Sequence, residues 1–147
     1  MIKPNLLPSS ERIMETMIEL TGLSKSHRVI VAGSNAFDIY LGLHDRGFSR
    51  VATTATCRIA CGQHDVALIA GEHSIQAHES QLVRIMPFLN SLATTAVWTG
   101  SNQHQCSSKL QLLLERFGFR IEAGAKCENG FILSARRSQS RHVANAA

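Results

Sequence analysis

The chain has 147 residues, of which 44% are hydrophobic and 18% charged, and a formal net charge of +4. That is enough for one domain with a sizeable core, it is too apolar for disorder, and no run of ~18 apolar residues is present to cross a membrane. Arg136, Arg137 and Arg141 sit near the C-terminus, and without them 12 basic residues face 11 acidic ones. The excess is therefore assigned to a tail. With one Trp and one Tyr available for stacking, nucleic-acid binding is disfavoured.

The first eight residues, with Pro4 and Pro8, read as an irregular arm lacking a signal-peptide core, so the cytoplasm is the expected location. Ser9 or Ser10 caps a helix through about Thr21, with Glu11 in its first turn and an apolar stripe of Ile13, Met14, Met17 and Ile18. Gly22 ends it. This helix is expected to pack over a sheet edge or onto a partner subunit.

Val29–Ala32 is a continuous apolar run, as in a strand buried on both faces of a parallel sheet. Gly33-Ser34-Asn35 is turn chemistry. Phe37, Ile39, Tyr40, Leu41 and Leu43 then give a short helix, stopped at Arg46-Gly47, and Val51 opens a second strand through Thr56. This is a βαβ unit. Val66–Ala70 reads as another buried strand, and a helix is expected over Gln76–Leu92 with a break at Pro87. Thr94–Gly100 reads as a strand and Ser101–Ser107 as a loop. A helix follows with Leu110, Leu113, Leu114 and Phe117 on its core face, ended by Gly118. Phe119–Ala125 and Gly130–Arg136 then form a hairpin around Asn129-Gly130. Residues 1–137 are expected to form one domain and 138–147 a disordered tail.

The run Leu112-Leu-Leu-Glu-Arg-Phe-Gly-Phe-Arg-Ile-Glu122, followed by Glu128-Asn-Gly-Phe-Ile-Leu-Ser-Ala-Arg-Arg137, resembles the C-terminal end of class I S-adenosylmethionine-dependent methyltransferases. There, a helix ending in a glycine-aromatic pair feeds a closing hairpin. His64-Asp-Val-Ala-Leu-Ile-Ala70 is similar to that family's central strand. The resemblance runs from about Arg28 to Arg137. It implies a three-layer Rossmann-like α/β fold, mostly parallel, with an antiparallel C-terminal hairpin, and S-adenosylmethionine as cofactor.

In that family the first strand carries an acid and enters a G-x-G-x-G turn. The corresponding positions here are Val31, Gly33, Asn35 and Phe37. The family's second acid, which ends the second strand and bonds the ribose, falls in Thr53-Thr54-Ala55-Thr56. The link Cys57–His64 is also too short for the family's next strand and helices. It must cover about 22 Å, against a reach of roughly 26–29 Å. A fold shortened after its second strand follows, with Val51–Thr56 as an uncharged sheet edge. A homodimer is expected through that edge or through the N-terminal helix.

Ligands of open α/β sheets bind outside the carboxyl ends of the strands. The candidate cofactor-binding residues are therefore Gly33, Ser34, Asn35, Thr54, Gly71 and Glu72. Ser34 or Asn35 alternatively caps the following helix. Glu72 and His73 are the candidate catalytic pair, a carboxylate beside an imidazole able to act as a base, with solvated loop polarity as the alternative. No metal site is expected. The interval from His73 to His78 does not share a helix face, and Cys57, Cys61, Cys106 and Cys127 form no C-x-x-C pair. His104 and Cys106 offer a weaker thiol–imidazole pairing.

The expected function is a methyltransferase-like domain that has lost ordinary S-adenosylmethionine-dependent catalysis and serves as a binding or assembly module. A minimal active methyltransferase with an altered cofactor pose is the first alternative. An NAD-binding oxidoreductase is the second, disfavoured because Gly33–Asp38 departs from G-x-G-x-x-G after its first position.

Overall fold

A computed structural model of the chain describes residues 8–56, 62–72, 74–99, 104–127 and 130–137. In chain order the elements are α1 (Pro8–Thr21), β1 (Val29–Ala32), α2 (Ala36–Asp45), β2 (Val51–Thr53), β3 (His64–Glu72), α3 (Ile75–Ile85), a 3-10 turn (Met86–Phe88), β4 (Leu89–Thr99), α4 (His104–Arg116), β5 (Phe119–Cys127) and β6 (Gly130–Arg137). They build one six-stranded sheet in the order β2-β1-β3-β4-β6-β5. The four strands from β2 to β4 are parallel, and β6 runs antiparallel to both β4 and β5.

Alternation along the strands divides the core into two apolar layers. Val29, Val31, Val66, Leu68, Trp98 and Ile132 meet α1 and α2 through Ile13, Met14, Met17, Ile39 and Leu43. Ile30, Ala67, Ile69, Val97 and Leu133 meet α3 and α4 through Leu82, Ile85, Leu110, Leu113 and Leu114. Because β1 and β3 are covered on both sides, their sequences read as unbroken apolar runs rather than alternating ones. The expected three-layer α/β architecture is the one observed.

Several boundaries differ from expectation, each for a local reason. α1 lies across the face of the sheet against β4, β6 and the edge strand β5, with Ile13, Met14 and Met17 of its stripe buried. The helix expected over Gln76–Leu92 stops at Ile85. Pro87 tightens the chain into the 3-10 turn, and Leu89 already pairs with His64 in the ladder. β4 consequently begins at Leu89 rather than Thr94. α4 starts at His104, inside the expected Ser101–Ser107 loop.

Arg136 and Arg137 belong to β6 and not to a tail. Arg136 Nε donates to the Glu122 carboxylate at 3.2 Å, and Arg137 donates to the Leu89 and Asn90 carbonyls at 3.1 Å each. Residues 138–147 lie outside the described residues, as do most of the Cys57–His64 link and its two cysteines. None of the described helices is long and apolar enough to cross a membrane.

β2 ends at Thr53, three residues short of expectation, because the chain turns back on itself there. Thr53 N–H donates to Thr56 Oγ1 at 3.1 Å, and Thr56 Oγ1 donates to the Thr53 carbonyl at 3.2 Å. Thr56 N–H also reaches Thr53 Oγ1 at 3.2 Å. Parallel ladder bonds alternate in direction. The Arg50 carbonyl and Thr54 N–H face β1, so the N–H and C=O of Thr53 face away from it. Both of those outward groups are taken by Thr56.

Candidate functional site

The crossover after β1 places α2 on one face of the sheet, and the crossover after β3 places α3 on the other. The switch point between them, at the carboxyl ends of β1 and β3, is where an open α/β sheet forms a crevice. The structure brings Gly33, Ser34, Asn35 and Gly71 together there. Asn35 N–H donates to the Ala70 carbonyl at 3.1 Å, and Ala36 N–H donates to the Gly33 carbonyl at 3.1 Å.

Two glycines make this contact possible. Gly33 has φ +104°, and a side chain on it would run into the Ala70 carbonyl. Gly71 has φ +98°, and a Cβ there would lie 2.6 Å from Asn35 N and 3.1 Å from Ser34 Cβ. The β1–α2 turn is thus seated on the end of β3, backbone against backbone.

Asn35 occupies the N-cap position of α2 without a side-chain cap bond, so the capping role considered for it is not the one it takes. Its side chain instead lies over Gly71. Thr54 stands one strand away, its N–H donating to the Val31 carbonyl at 3.3 Å. Glu72 is the last residue of β3, in register with Thr99. His73 lies outside the described residues. His78 is buried in α3, while Glu79 reaches Arg116 at 3.6 Å. No group of three metal-ligating side chains gathers among the described residues.

Where the resemblance expects carboxylates, the chain has other groups. Val31 is fully buried in the core, and the end of β2 is the threonine-locked turn. Phe37, at the third-glycine position, is 64% exposed. The described side chains ending β1 and β2 do not match the usual grip on the amino-acid and ribose ends of S-adenosylmethionine. Sequence reasoning also passed over Trp98, near the carboxyl end of β4. Its indole N–H is buried with no acceptor among the described residues. A lone Trp inside an apolar strand carries no signal of that kind.

The sequence matches no protein-family model and no curated protein. Solved structures do match. One is the Burkholderia thailandensis 1,6-didemethyltoxoflavin-N1-methyltransferase with bound 1,6-didemethyltoxoflavin and S-adenosylhomocysteine, 13% identical, with a TM-score of 0.61 over 89% of this chain and 79% of that one. Another is the release-factor-specific protein-(glutamine-N5) methyltransferase of Alicyclobacillus acidocaldarius, 17% identical, TM-score 0.56, covering 92% and 95%. A third is magnesium protoporphyrin IX methyltransferase from Synechocystis with bound S-adenosylmethionine, 12% identical, TM-score 0.56, covering 88% and 80%.

The fold is that of the class I S-adenosylmethionine-dependent methyltransferases. The methyltransferase fold accounts for the antiparallel β6 inserted beside β4 and for the crevice at the β1–β3 switch point. Within it, β2 is the last described strand on its side of the sheet.

Proposed function

We propose that this chain is a methyltransferase-fold binding or assembly module that does not carry out ordinary S-adenosylmethionine-dependent methyl transfer. The observation that carries this reading is the seating of the β1–α2 turn on β3. The Asn35 amide, which would otherwise face a ligand in the crevice, is committed to the Ala70 carbonyl. Neither β1, ending at Ala32, nor β2, ending at Thr53, closes on a carboxylate that would compensate.

Thermal unfolding with S-adenosylmethionine, S-adenosylhomocysteine and NAD, each raised to millimolar concentration, tests it. A ligand that binds only the native state raises Tm as it passes its Kd. No movement of Tm with any of the three is the expected result. A saturating rise with both S-adenosyl compounds would replace this reading with a minimal methyltransferase holding its cofactor in an altered pose. That second reading draws on the fold match to structures with S-adenosylhomocysteine or S-adenosylmethionine bound. A rise with NAD alone would point to the oxidoreductase.

For the assembly partner we infer a second copy of this chain, docked on the β2 side. α2 lies beside β2 and exposes Phe37 and Leu41 one helical turn apart. With the outward backbone of Thr53 already bonded, such a dimer would rest on these side chains rather than on an extended ladder.

A further inference from the structure

The amino ends of the first three strands form a second concavity, at the opposite end of the sheet from the crevice. Its volume is about 380 Å³, and Arg28, Ser49, Arg50, Val51, Ala52 and His64 line it. The ladder explains why these residues meet. Val29 stands opposite Val51, so Arg28 and Arg50, the residues immediately before each strand, are lateral neighbours at the sheet's amino end and line the same hollow.

Their backbones are held firmly. Val29 N–H donates to the Arg50 carbonyl at 2.8 Å, and Asp65 N–H donates to the Arg28 carbonyl at 2.8 Å. Arg28 N–H in turn donates to the Asp65 carboxylate at 2.9 Å. Two like charges in adjacent ladder positions repel. Arg28 gives an N–H to the neutral Gln63 amide at 2.8 Å. Ion pairs such as Arg46–Glu15, Arg116–Glu79 and Arg136–Glu122 lie elsewhere. Two arginines therefore line the concavity and, among the described residues, no carboxylate residue does; the nearby Asp65 carboxylate is taken by Arg28 N–H and the Asn90 amide.

His64 adds a third polar group. The residue is 8% exposed, and its Nδ1 lies 3.2 Å from the Phe88 carbonyl. A carbonyl only accepts, so Nδ1 carries the proton and the Nε2 lone pair is left over. The ring also meets Phe88 edge-on at 6.0 Å between centroids, which fixes its plane.

We propose that this concavity binds a small oxyanion of the phosphate class, either inorganic phosphate or a phosphomonoester, between Arg28 and Arg50, with the Ser49 hydroxyl and a protonated His64 Nε2 as further donors. Paired guanidinium groups suit such an anion because each offers parallel N–H donors to its oxygens. Binding takes up one proton, from solvent or from the anion itself, onto Nε2. Burial and the Arg28 charge hold the His64 pKa below its ordinary value, the Phe88 carbonyl and Asp65 act the other way, and Arg50 lines the same space. A bound anion shifts the balance toward the imidazolium. Affinity accordingly rises as pH falls toward neutrality, and stops rising once the free anion itself carries that proton.

The test uses the full chain, titrated with sodium phosphate and separately with glucose 6-phosphate, against sodium chloride at equal ionic strength. Calorimetry reads affinity, and histidine NMR follows His64. The expected result is saturable binding, a His64 titration moved to higher pH by phosphate but not by chloride, and a loss of about tenfold or more in affinity in Arg50→Gln. Tighter binding of the sugar phosphate identifies a phosphorylated small molecule as the ligand, whereas equal or weaker binding identifies free phosphate. A His64 titration identical in phosphate and chloride overturns the proposal on the unmodified protein. So does undiminished binding in both Arg28→Gln and Arg50→Gln.

Discussion

At the scale of single residues, the crevice depends on what Gly33 and Gly71 lack. Each adopts a positive φ that a side chain resists, and each is pressed against backbone that has no rotamer by which to move aside. Gly71→Ala is expected to destabilise the fold by about 2–4 kcal/mol, combining the cost of the conformation with that of the overlap. Chemical denaturation would show it as a lower midpoint with an unchanged slope. His64 makes a different prediction. Burial lowers its pKa from the ordinary value of 6.5, so the native state resists a proton that the unfolded chain accepts. The stabilising contribution is complete above the unfolded pKa and is lost as pH falls through 6.5 toward the folded value. In a phosphate-free buffer, the denaturation midpoint should decline over that range more steeply in the native protein than in His64→Gln.

At the scale of elements, β2 is short because its own threonines close it. Thr56→Val removes the hydroxyl that serves both outward groups of Thr53. Because the turn is partly exposed and water can replace some of what is lost, a cost of about 0.5–1.5 kcal/mol is expected. Thermal unfolding should show it as a drop in Tm of a few degrees, and Thr56→Ser should restore most of it. The same turn marks the limit of sequence reading. Val51–Thr56 has uniform β propensity, and nothing in its composition reveals that the Thr56 hydroxyl will outcompete the ladder. Elements with a strong period or a hard stop were legible: the apolar runs of β1 and β3, the Gly22 and Gly47 terminations, and the hairpin of β5 and β6. The length of α3 was not, because Leu89 and Leu92 continue a helical period through Pro87 while Leu89 is claimed by its pairing with His64. For the crevice, the glycines and Asn35 were readable as a turn at a strand end. Their mutual packing was not, since Gly33 and Gly71 are 38 positions apart and only the fold joins them.

At the scale of the whole molecule, the sheet presents two ends with different chemistry: a glycine-seated turn over the carboxyl ends of β1 and β3 and an arginine-lined hollow at the amino ends. The proposed dimer would flank both. Light scattering at micromolar concentration should return twice the 16.1 kDa chain mass, and the Phe37→Ser, Leu41→Ser double variant should return a single copy. A single-copy mass for the unaltered protein would remove the dimer. Asp65 has a consequence at this scale too. One of its carboxylate oxygens takes the N–H of Arg28 and the other takes the Asn90 amide at 2.8 Å, so a single side chain stitches the start of β1 to the start of β4 across the strand between them. Sliding any one of the three by a residue would tear that stitch. The molecule therefore keys the alignment of its central strands at the base, much as a book is squared at the spine.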